Sequence, residues 1–324
     1  MLAQKQYQHF YLHRKNKQTA QVTSLANWLT LPMLLILSTL TLLTLSTRGE
    51  LSATAYWAFQ LNEFLLLNHY FAGYSQSFWS NVTLFGDASV LLPLCSLVLF
   101  VRPSALLAVL TSVPMAALST QLGKAFWSVP RPGAILDQAH FRVIGEVLSG
   151  HNSLPSGHTI TIFTATIAML VIFFPKIQTA YDWCLVYLVV GFAAVVGVSR
   201  IAVGAHWPMD VLNGCAFGWL AGISGALIVQ KWACGWSLWS SRKQCFGAGL
   251  VLGLMSGHLI IRAWFTFSGS TILWISGSIG LVVTAVLFFH NSYVFKNGLA
   301  LFSDRRVLYQ LVPINNIAGK GFKI

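Results

Sequence analysis

Three short segments of the chain contain residue types suited to chemistry on a phosphate group. They are Lys124-x6-Arg131-Pro132, Pro155-Ser156-Gly157-His158 and Ser199-Arg200-x5-His206-x3-Asp210. Together they supply three cations, two histidines, a carboxylate and a turn that contains glycine. Cations neutralise the charge of a phosphoryl group, and a histidine can attack phosphorus or transfer a proton. The three segments therefore predict one phosphate-handling site.

The third segment contains a histidine and a carboxylate at helical spacing. Pro208 suits the first turn of a helix, so a helix is expected to begin near Trp207. His206 and Asp210 are four positions apart, which puts them on the same side of that turn. The carboxylate then accepts a hydrogen bond from one imidazole nitrogen and leaves the other free to attack. An ordinary helix start with a capping aspartate is the alternative.

The second segment reads as a tight turn that leads directly into an apolar helix. Backbone N–H groups at Gly157 can hold phosphate oxygens, and the Ser156 hydroxyl adds a donor. His158 then lies where it can protonate a leaving oxygen. The alternative is an ordinary turn followed by an interfacial histidine.

The cations of the first and third segments come from different parts of the chain. Pro130 and Pro132 prevent one continuous helix, so Lys124 and Arg131 are expected to converge from a helix end and a loop. Arg200 suits two-pronged contact with a phosphate. Such a clamp can replace Mg²⁺, for which no carboxylate cluster is evident. For each cation taken alone, a position at the membrane interface is the competing interpretation.

The composition is that of a membrane protein. Only 9% of the residues are charged, 56% are hydrophobic and the mean hydropathy is +0.67. Apolar runs long enough to span a bilayer must be helical, because lipid offers the backbone no hydrogen bonds. The sequence therefore predicts an all-α polytopic bundle of about eight transmembrane helices. The predicted spans are 28–45, 82–101, 105–126, 159–174, 181–199, 207–229, 246–261 and 271–289.

The positive charge is distributed as a topology signal. Although the net charge is +12, the basic residues cluster at the ends of apolar runs and in the tails, which argues against a nucleic-acid partner. With eight spans, the tails and alternate loops hold 14 of the 20 Lys and Arg residues, so these are predicted to be cytoplasmic. All three motifs fall on the other face. We therefore predict an active site on the outer face. The compact chain favours a bacterial inner membrane, in which that face is periplasmic.

In their order and spacing, the three segments resemble the tripartite signature of the type 2 phosphatidic acid phosphatase superfamily, which also includes vanadium haloperoxidases. Every fixed position is present between Lys124 and Asp210. The resemblance implies a six-helix core with its catalytic face at the non-cytoplasmic surface. It implies that His206 forms a phosphohistidine, that Asp210 orients it and that His158 is the general acid. It also implies that no metal or cofactor is needed. The residues it implies for phosphate binding are Lys124, Arg131, Ser156, Gly157, Ser199 and Arg200.

The apolar runs and the resemblance divide the chain into four predicted parts. Residues 1–27 form a basic cytoplasmic tail and residues 28–230 the membrane phosphatase core. Residues 231–289 supply two additional transmembrane helices, and residues 290–324 form a second basic cytoplasmic tail. The commoner members of the family have six spans, so the two additional helices inherit no function from it.

Other polar residues lie near the predicted site. On the seventh run, His258 and Arg262 are expected to be structural or interfacial, with headgroup contact as the alternative, and Asp87 is expected to start a helix. Solvated loop positions, with headgroup contact as the alternative, are expected for His140, Arg142, Glu146 and His151. The cysteines form no C-x-x-C pair and are expected to be small core residues. They are Cys95, Cys184, Cys215, Cys234 and Cys245.

Phosphate chemistry in a membrane predicts a lipid phosphatase that hydrolyses a phosphate monoester or diphosphate. A phosphotransferase that passes the phosphoryl group to a second lipid or sugar would use the same motifs. A non-catalytic phospholipid-binding or transport protein is disfavoured because the signature is complete. A haloperoxidase is disfavoured because eight spans leave no soluble domain. The compatible substrates are phosphatidic acid, phosphatidylglycerol phosphate, undecaprenyl diphosphate and a phosphate of lipid A.

Overall fold

The computed structural model describes residues 28–39, 41, 52–175, 177–232, 242–265 and 270–289. The two predicted tails and Cys234 lie outside these residues. The described chain is helical and contains no strand, which confirms the all-α prediction. Its helices are α1 (Trp28–Thr39), α2 (Ala53–Phe59), α3 (Leu61–Ala72), α4 (Gln76–Leu84), α5 (Ala88–Ser96), α6 (Pro103–Trp127), α7 (Pro132–Ile135), α8 (Gly157–Phe173), α9 (Ala180–Ala202), α10 (Pro208–Trp232), α11 (Arg242–Phe265) and α12 (Thr271–Phe289).

The long apolar helices make this an integral membrane protein. Within the described residues, five helices are long and apolar enough to cross a bilayer, namely α6, α9, α10, α11 and α12. Helices α4 and α5 reach that length only as a pair, while α1 and α8 are apolar but shorter. The predicted count of eight spans is therefore not confirmed.

The predicted span 82–101 is a bent element rather than one straight helix. The axes of α4 and α5 differ by 68° across a short break. At that break Asp87 caps α5 by accepting a hydrogen bond from the backbone N–H of Ser89 at 2.9 Å. A capping residue has non-helical backbone angles, so the chain changes direction there. Apolar composition alone does not report this change of direction.

Helix α10 is the centre of the bundle and packs most extensively against α8 and α6. Gly214, Gly218 and Gly222 recur every four residues, which puts them on one face. A Cβ at Gly218 would lie 2.7 Å from the carbonyl oxygen of Ile160, and one at Gly222 would lie 2.8 Å from that of Thr164. Small residues permit such close approach of membrane helices. This contact packs the first half of α8 against the middle of α10.

The aromatic segment after α1 folds into α2, α3 and α4, with α3 packed against α9. Asn68 of α3 is fully buried, and its amide donates to the carbonyl oxygens of Ile201 at 2.9 Å and Ala202 at 3.3 Å. Carbonyls at a helix C-terminus have no partner within their own helix. Asn68 therefore anchors the end of α9, directly before the third motif.

The cysteine prediction is correct in part. Cys95 and Cys245 are buried and Cys215 is partly buried, whereas Cys184 on α9 is exposed. The prediction of a core position is wrong for Cys184, because it lies on the outward face of a helix that lipid can cover. All four of these cysteines are free thiols.

Candidate active site

The first motif is divided by a break at the end of α6. Ser128 closes that helix in the left-handed conformation, with φ of 42°, and Arg131 is extended before the short α7. The segment is held by hydrogen bonds from both sides. Trp207 Nε1 donates to the carbonyl oxygen of Pro130 at 2.7 Å, and Ser153 N donates to that of Val129 at 3.0 Å. Lys124 and Arg131 thus come from a helix end and a loop, as Pro130 and Pro132 predict.

The second motif is joined directly to the third. Ser156 N donates to the carbonyl oxygen of Asp210 at 3.0 Å. A Cβ at Gly214 would lie 2.8 Å from Thr159 Cβ and 3.0 Å from the carbonyl oxygen of Ser156. Only glycine at this position allows the two helix starts to meet so closely. Residues far apart in sequence are therefore held in one rigid corner.

The Ser156 hydroxyl is the N-cap of α8. It accepts from Thr159 N at 3.5 Å and from Thr159 Oγ1 at 2.9 Å. Gly157 is the first residue of α8, so its N–H lies at a helix N-terminus, where anions are favoured. The hydroxyl predicted to contact phosphate therefore also caps the helix.

His206 and Asp210 form the predicted pair at the start of α10. Nδ1 of His206 lies 3.3 Å from Oδ2 of Asp210, and the two residues are only 2% and 0% exposed. Burial lowers the pKa of His206 to about 4, although the hydrogen bond and charge of Asp210 act in the opposite direction. The imidazole is therefore neutral at pH 7. With Nδ1 directed at Asp210, the lone pair is on Nε2.

Asp210 has further partners that the motifs do not include. Trp207 N donates to Oδ2 at 2.9 Å and Ser153 Oγ donates to the same oxygen at 2.5 Å. Tyr56 OH, from α2, donates to Oδ1 at 2.9 Å. Sequence reasoning missed Tyr56 and Ser153. Ser153 lies just before the second motif, but nothing in the sequence connects Tyr56 with a carboxylate 154 positions later.

Two arginines converge on the same corner. Arg200 is buried and its Nη1 donates to the hydroxyl of Thr83, while its Nε finds no hydrogen-bond partner among the described residues. Arg131 Nε donates to Oδ1 of Asn152 at 2.8 Å, and Nη1 makes a long contact of 3.5 Å to the carbonyl oxygen of Ala205. Both arginines lie close enough to His206 to act on its charge.

The remaining predicted residues have different surroundings. Lys124 is partly buried near Arg131, and His158 is partly buried near Arg200 and His206. A Cβ at Gly86 would lie 2.6 Å from His158 Cβ, so the α4–α5 break packs on this histidine. Ser199 is fully buried and donates to the carbonyl oxygen of Val196 at 2.6 Å, within its own helix.

The polar residues outside the motifs resolve into two groups. The loop residues are exposed, in keeping with a solvated loop; they are His140, Arg142, Glu146 and His151. Arg262 instead forms an ion pair with Asp87, while His258 is exposed. Among the described residues, no group of three His, Cys, Asp or Glu side chains could hold a metal ion.

Comparison with known proteins identifies the segment that carries the motifs. Residues 105–234 match the model of the PAP2 superfamily. This match contains all three motifs and confirms the resemblance drawn from them.

Individual relatives cover less of the chain. It is 32% identical to lipid A 1-phosphatase of Rhizobium etli over 126 residues, which are 37% of this chain and 49% of that protein. It is 33% identical to lipid A 1-phosphatase of Porphyromonas gingivalis over 127 residues, which are 37% of this chain and 27% of that protein. The chain thus spans half or less of these relatives. The crystal structure of LpxE from Aquifex aeolicus is similar at 23% identity with a TM-score of 0.42, covering 51% of this chain and 93% of that one.

Proposed function

We propose that the protein is a membrane lipid phosphatase that hydrolyses the phosphate monoester or diphosphate of a lipid through a phosphohistidine. One observation carries this proposal. The buried Arg200 has an Nε without a hydrogen-bond partner among the described residues, in the same corner as the neutral His206. Buried polar groups are nearly always hydrogen-bonded, so an unpartnered guanidinium nitrogen next to a nucleophile fits a site made for an anion.

In the first step Nε2 of His206 attacks phosphorus, and the bond from phosphorus to the lipid oxygen breaks. His158 gives its proton to that oxygen as it leaves. Asp210 holds Nδ1 and stabilises the positive charge that develops on the imidazole. The phosphate oxygens are held by Arg131, Arg200 and Lys124, with the Gly157 N–H and the Ser156 hydroxyl as further donors. The Ser199 hydroxyl already donates to the carbonyl oxygen of Val196, so Ser199 supports the end of α9 instead.

In the second step water attacks phosphorus, and His158 accepts the water proton. The bond from phosphorus to Nε2 breaks, inorganic phosphate leaves and neutral His206 is restored. Cations and backbone N–H groups supply the charge stabilisation that both steps require.

An apolar groove beside the site fits the lipid tail. Its volume is about 500 Å³, and it lies between α1, α6 and α10. It reaches Leu154 and Pro155, directly before the Ser156 turn, and Met209, directly before Asp210. Nearly all of its lining is apolar, as a hydrocarbon chain requires. We infer that the tail lies in this groove while the phosphate is in the charged corner.

With the predicted eight spans, the charge distribution supports a periplasmic site with cytoplasmic tails in a bacterial inner membrane. The motifs come from the end of α6, the start of α8, the end of α9 and the start of α10, which meet at one end of the bundle. A cysteine introduced at exposed His151 should react with an impermeant thiol reagent added to intact spheroplasts. Reaction only after the membrane is opened would contradict this orientation.

The activity is tested with purified protein in detergent micelles. Phosphatidic acid, phosphatidylglycerol phosphate, undecaprenyl diphosphate and lipid A are each incubated with it, and inorganic phosphate is measured. His206→Ala should abolish release, whereas His151→Ala, in the exposed loop, should not. Release by the His206→Ala protein, or no release from any lipid by folded wild type, would contradict the proposal. Loss of lipid phosphate without inorganic phosphate would favour a phosphotransferase.

A further inference from the structure

The support of Asp210 comes from more of the chain than the three motifs. Its Oδ1 accepts from Tyr56 OH at 2.9 Å, while its Oδ2 accepts from Ser153 Oγ at 2.5 Å and from Trp207 N at 2.9 Å. Tyr56 is 3% exposed, and Asp210 and Ser153 are 0% exposed. A buried carboxylate needs such donors, because burial removes the water that would otherwise solvate it.

Helices α2 and α3 hold this tyrosine in a rigid position. Gln60 Nε2 donates to the carbonyl oxygen of Tyr56 at 2.9 Å, and Gln60 Oε1 accepts from Met209 N at 2.8 Å. Phe64 meets the ring of Trp207 edge to face, with centroids 5.0 Å apart. The start of α10 is therefore held from α2 and α3 through backbone, side-chain and aromatic contacts.

The hydroxyl of Tyr56 is suited to donate at every physiological pH. Burial and the nearby charge of Asp210 hold the pKa of Tyr56 well above its usual value, so the hydroxyl keeps its proton. Its hydrogen bond uses Oδ1, the oxygen that does not face His206. Tyr56 can thus fix the carboxylate plane without competing for the imidazole.

We propose that Tyr56 and Ser153 are positioning residues that fix the orientation of Asp210 and, through it, the attacking nitrogen of His206. The Ser153 hydroxyl oxygen also lies 3.4 Å from Nδ1 of His206, so Ser153 supports the imidazole directly as well. This inference rests on the proposed function. It adds α2 to the active site, although α2 lies outside residues 105–234, which carry the family match. Neither side chain is assigned contact with the substrate phosphate, so both should affect turnover more than binding.

The test compares Tyr56→Phe, Ser153→Ala and the double variant with wild type. Each single change should lower kcat about tenfold to a hundredfold with KM little changed, as for residues that orient a catalytic ligand. Because both hydroxyls act on one carboxylate, their effects should not be additive. Ser153→Thr, which keeps the hydroxyl, should restore much of the rate. Tyr70→Phe is the matched control, since Tyr70 is exposed on α3.

A second readout separates positioning from stability. Removal of a donor concentrates the charge of Asp210 on His206, which raises the pKa of His206 from about 4. The acidic limb of kcat/KM should therefore move to higher pH in both variants, while the thermal midpoint falls little. The charged and titratable residues that act on His206 or lie beside it are Asp210, Arg131, Arg200 and His158.

The outcomes distinguish this inference from the proposed function. If His206→Ala is inactive but Tyr56→Phe and Ser153→Ala retain wild-type kcat and pH profile, positioning is wrong and the phosphatase proposal stands. If His206→Ala retains activity, the proposed mechanism itself is wrong. If activity falls only in proportion to the amount of folded protein and the pH profile is unchanged, the positioning role of Tyr56 and Ser153 is also wrong.

Discussion

Arg262 of α11 and Asp87 at the start of α5 form an ion pair with 2.9 Å between Nη1 and Oδ2, across 175 positions of sequence. The same carboxylate caps α5, and the adjacent Gly86 packs on His158. One of the two additional C-terminal helices is therefore tied to the break that supports the candidate general acid. Helix α11 is therefore connected to the site, although none of the three motifs includes a residue of α11.

Substitutions at Arg262 and Asp87 should separate the contribution of the ion pair to stability from that of the α5 cap. The Arg262 and Asp87 side chains are 41% and 26% exposed, so the pair itself contributes less than about 1 kcal/mol. Arg262→Gln and Asp87→Asn should lower stability slightly and by similar amounts. Asp87→Ala should cost roughly 1 kcal/mol more, because it also removes the cap. Thermal unfolding in detergent measures this order, and equal effects of Asp87→Asn and Asp87→Ala would contradict the capping role.

Arg200→Lys should impair catalysis although the positive charge is kept. A lysine lacks the planar fork with which Arg200 contacts Thr83 and, in the proposed function, a phosphate oxygen. We expect kcat/KM to fall on the order of a hundredfold and inhibition by orthovanadate, a phosphate mimic, to weaken in parallel. Arg142→Lys, in the exposed loop, is the matched control. Unchanged vanadate inhibition in Arg200→Lys would argue against contact with phosphate.

Gly214→Ala should reduce activity by pushing the second motif away from the third. The added Cβ would lie 2.8 Å from Thr159 Cβ and 3.0 Å from the Ser156 carbonyl oxygen. Overpacking of this kind costs roughly 1–3 kcal/mol and shifts the backbone. Gly191→Ala on α9 is the control, since a Cβ there meets nothing within 4 Å. The rate of phosphate release and the midpoint of thermal unfolding should both fall for Gly214→Ala and stay unchanged for Gly191→Ala. Equal values for the two variants would contradict the close contact.

The neutral state of His206 should make stability depend on pH. Its pKa is about 4 in the fold, below the roughly 6.5 of an unfolded histidine. The unfolded state therefore binds more protons between these values, so stability is fully present above about pH 6.5 and is lost as the pH falls toward 4. His206→Asn removes this dependence. The difference in thermal midpoint between wild type and His206→Asn should change across that window, and a constant difference would contradict the shifted pKa.

Asn68→Leu should destabilise the end of α9. It removes the amide that donates to the carbonyl oxygens of Ile201 and Ala202. Ile201 keeps a hydrogen bond from the backbone N–H of Gly204, whereas the Ala202 carbonyl loses the Asn68 donor. Each buried unsatisfied group costs roughly 1–3 kcal/mol. Asn62→Leu, on an exposed face of the same helix, is the control. A thermal midpoint that falls in both variants alike would argue against a specific anchor.

The motifs predict the core of the site because their spacing already determines geometry. His206 directly precedes the helix that begins at Pro208 and Asp210 lies in its first turn, so the two side chains are close together. Pro130 and Pro132 require a break after Lys124. These local relationships need no knowledge of the fold. The all-α class follows as directly, since a bilayer allows few alternatives for apolar runs.

What sequence could not predict depends on long-range packing or on the direction of a helix axis. Tyr56 reaches Asp210 only because α2 lies across the start of α10, and its own neighbourhood is merely aromatic. The α4–α5 bend could not be predicted, because the hydropathy of a segment does not depend on the direction of its helix axis. The position of Cys184 could not be predicted either, because an apolar helix face can contact lipid or the protein core.

The order of residues along the chain has a consequence for biosynthesis. Both side-chain donors to Asp210, Tyr56 and Ser153, are translated before the carboxylate that they serve. Nascent chains fold from their N-terminal side, so α2 and the loop before α8 can be in place when α10 arrives. Asp210 then enters its end of the bundle with both side-chain hydrogen-bond donors already in place. A variant whose α2 is moved to the C-terminus would have to bury this charge first and stabilise it afterwards.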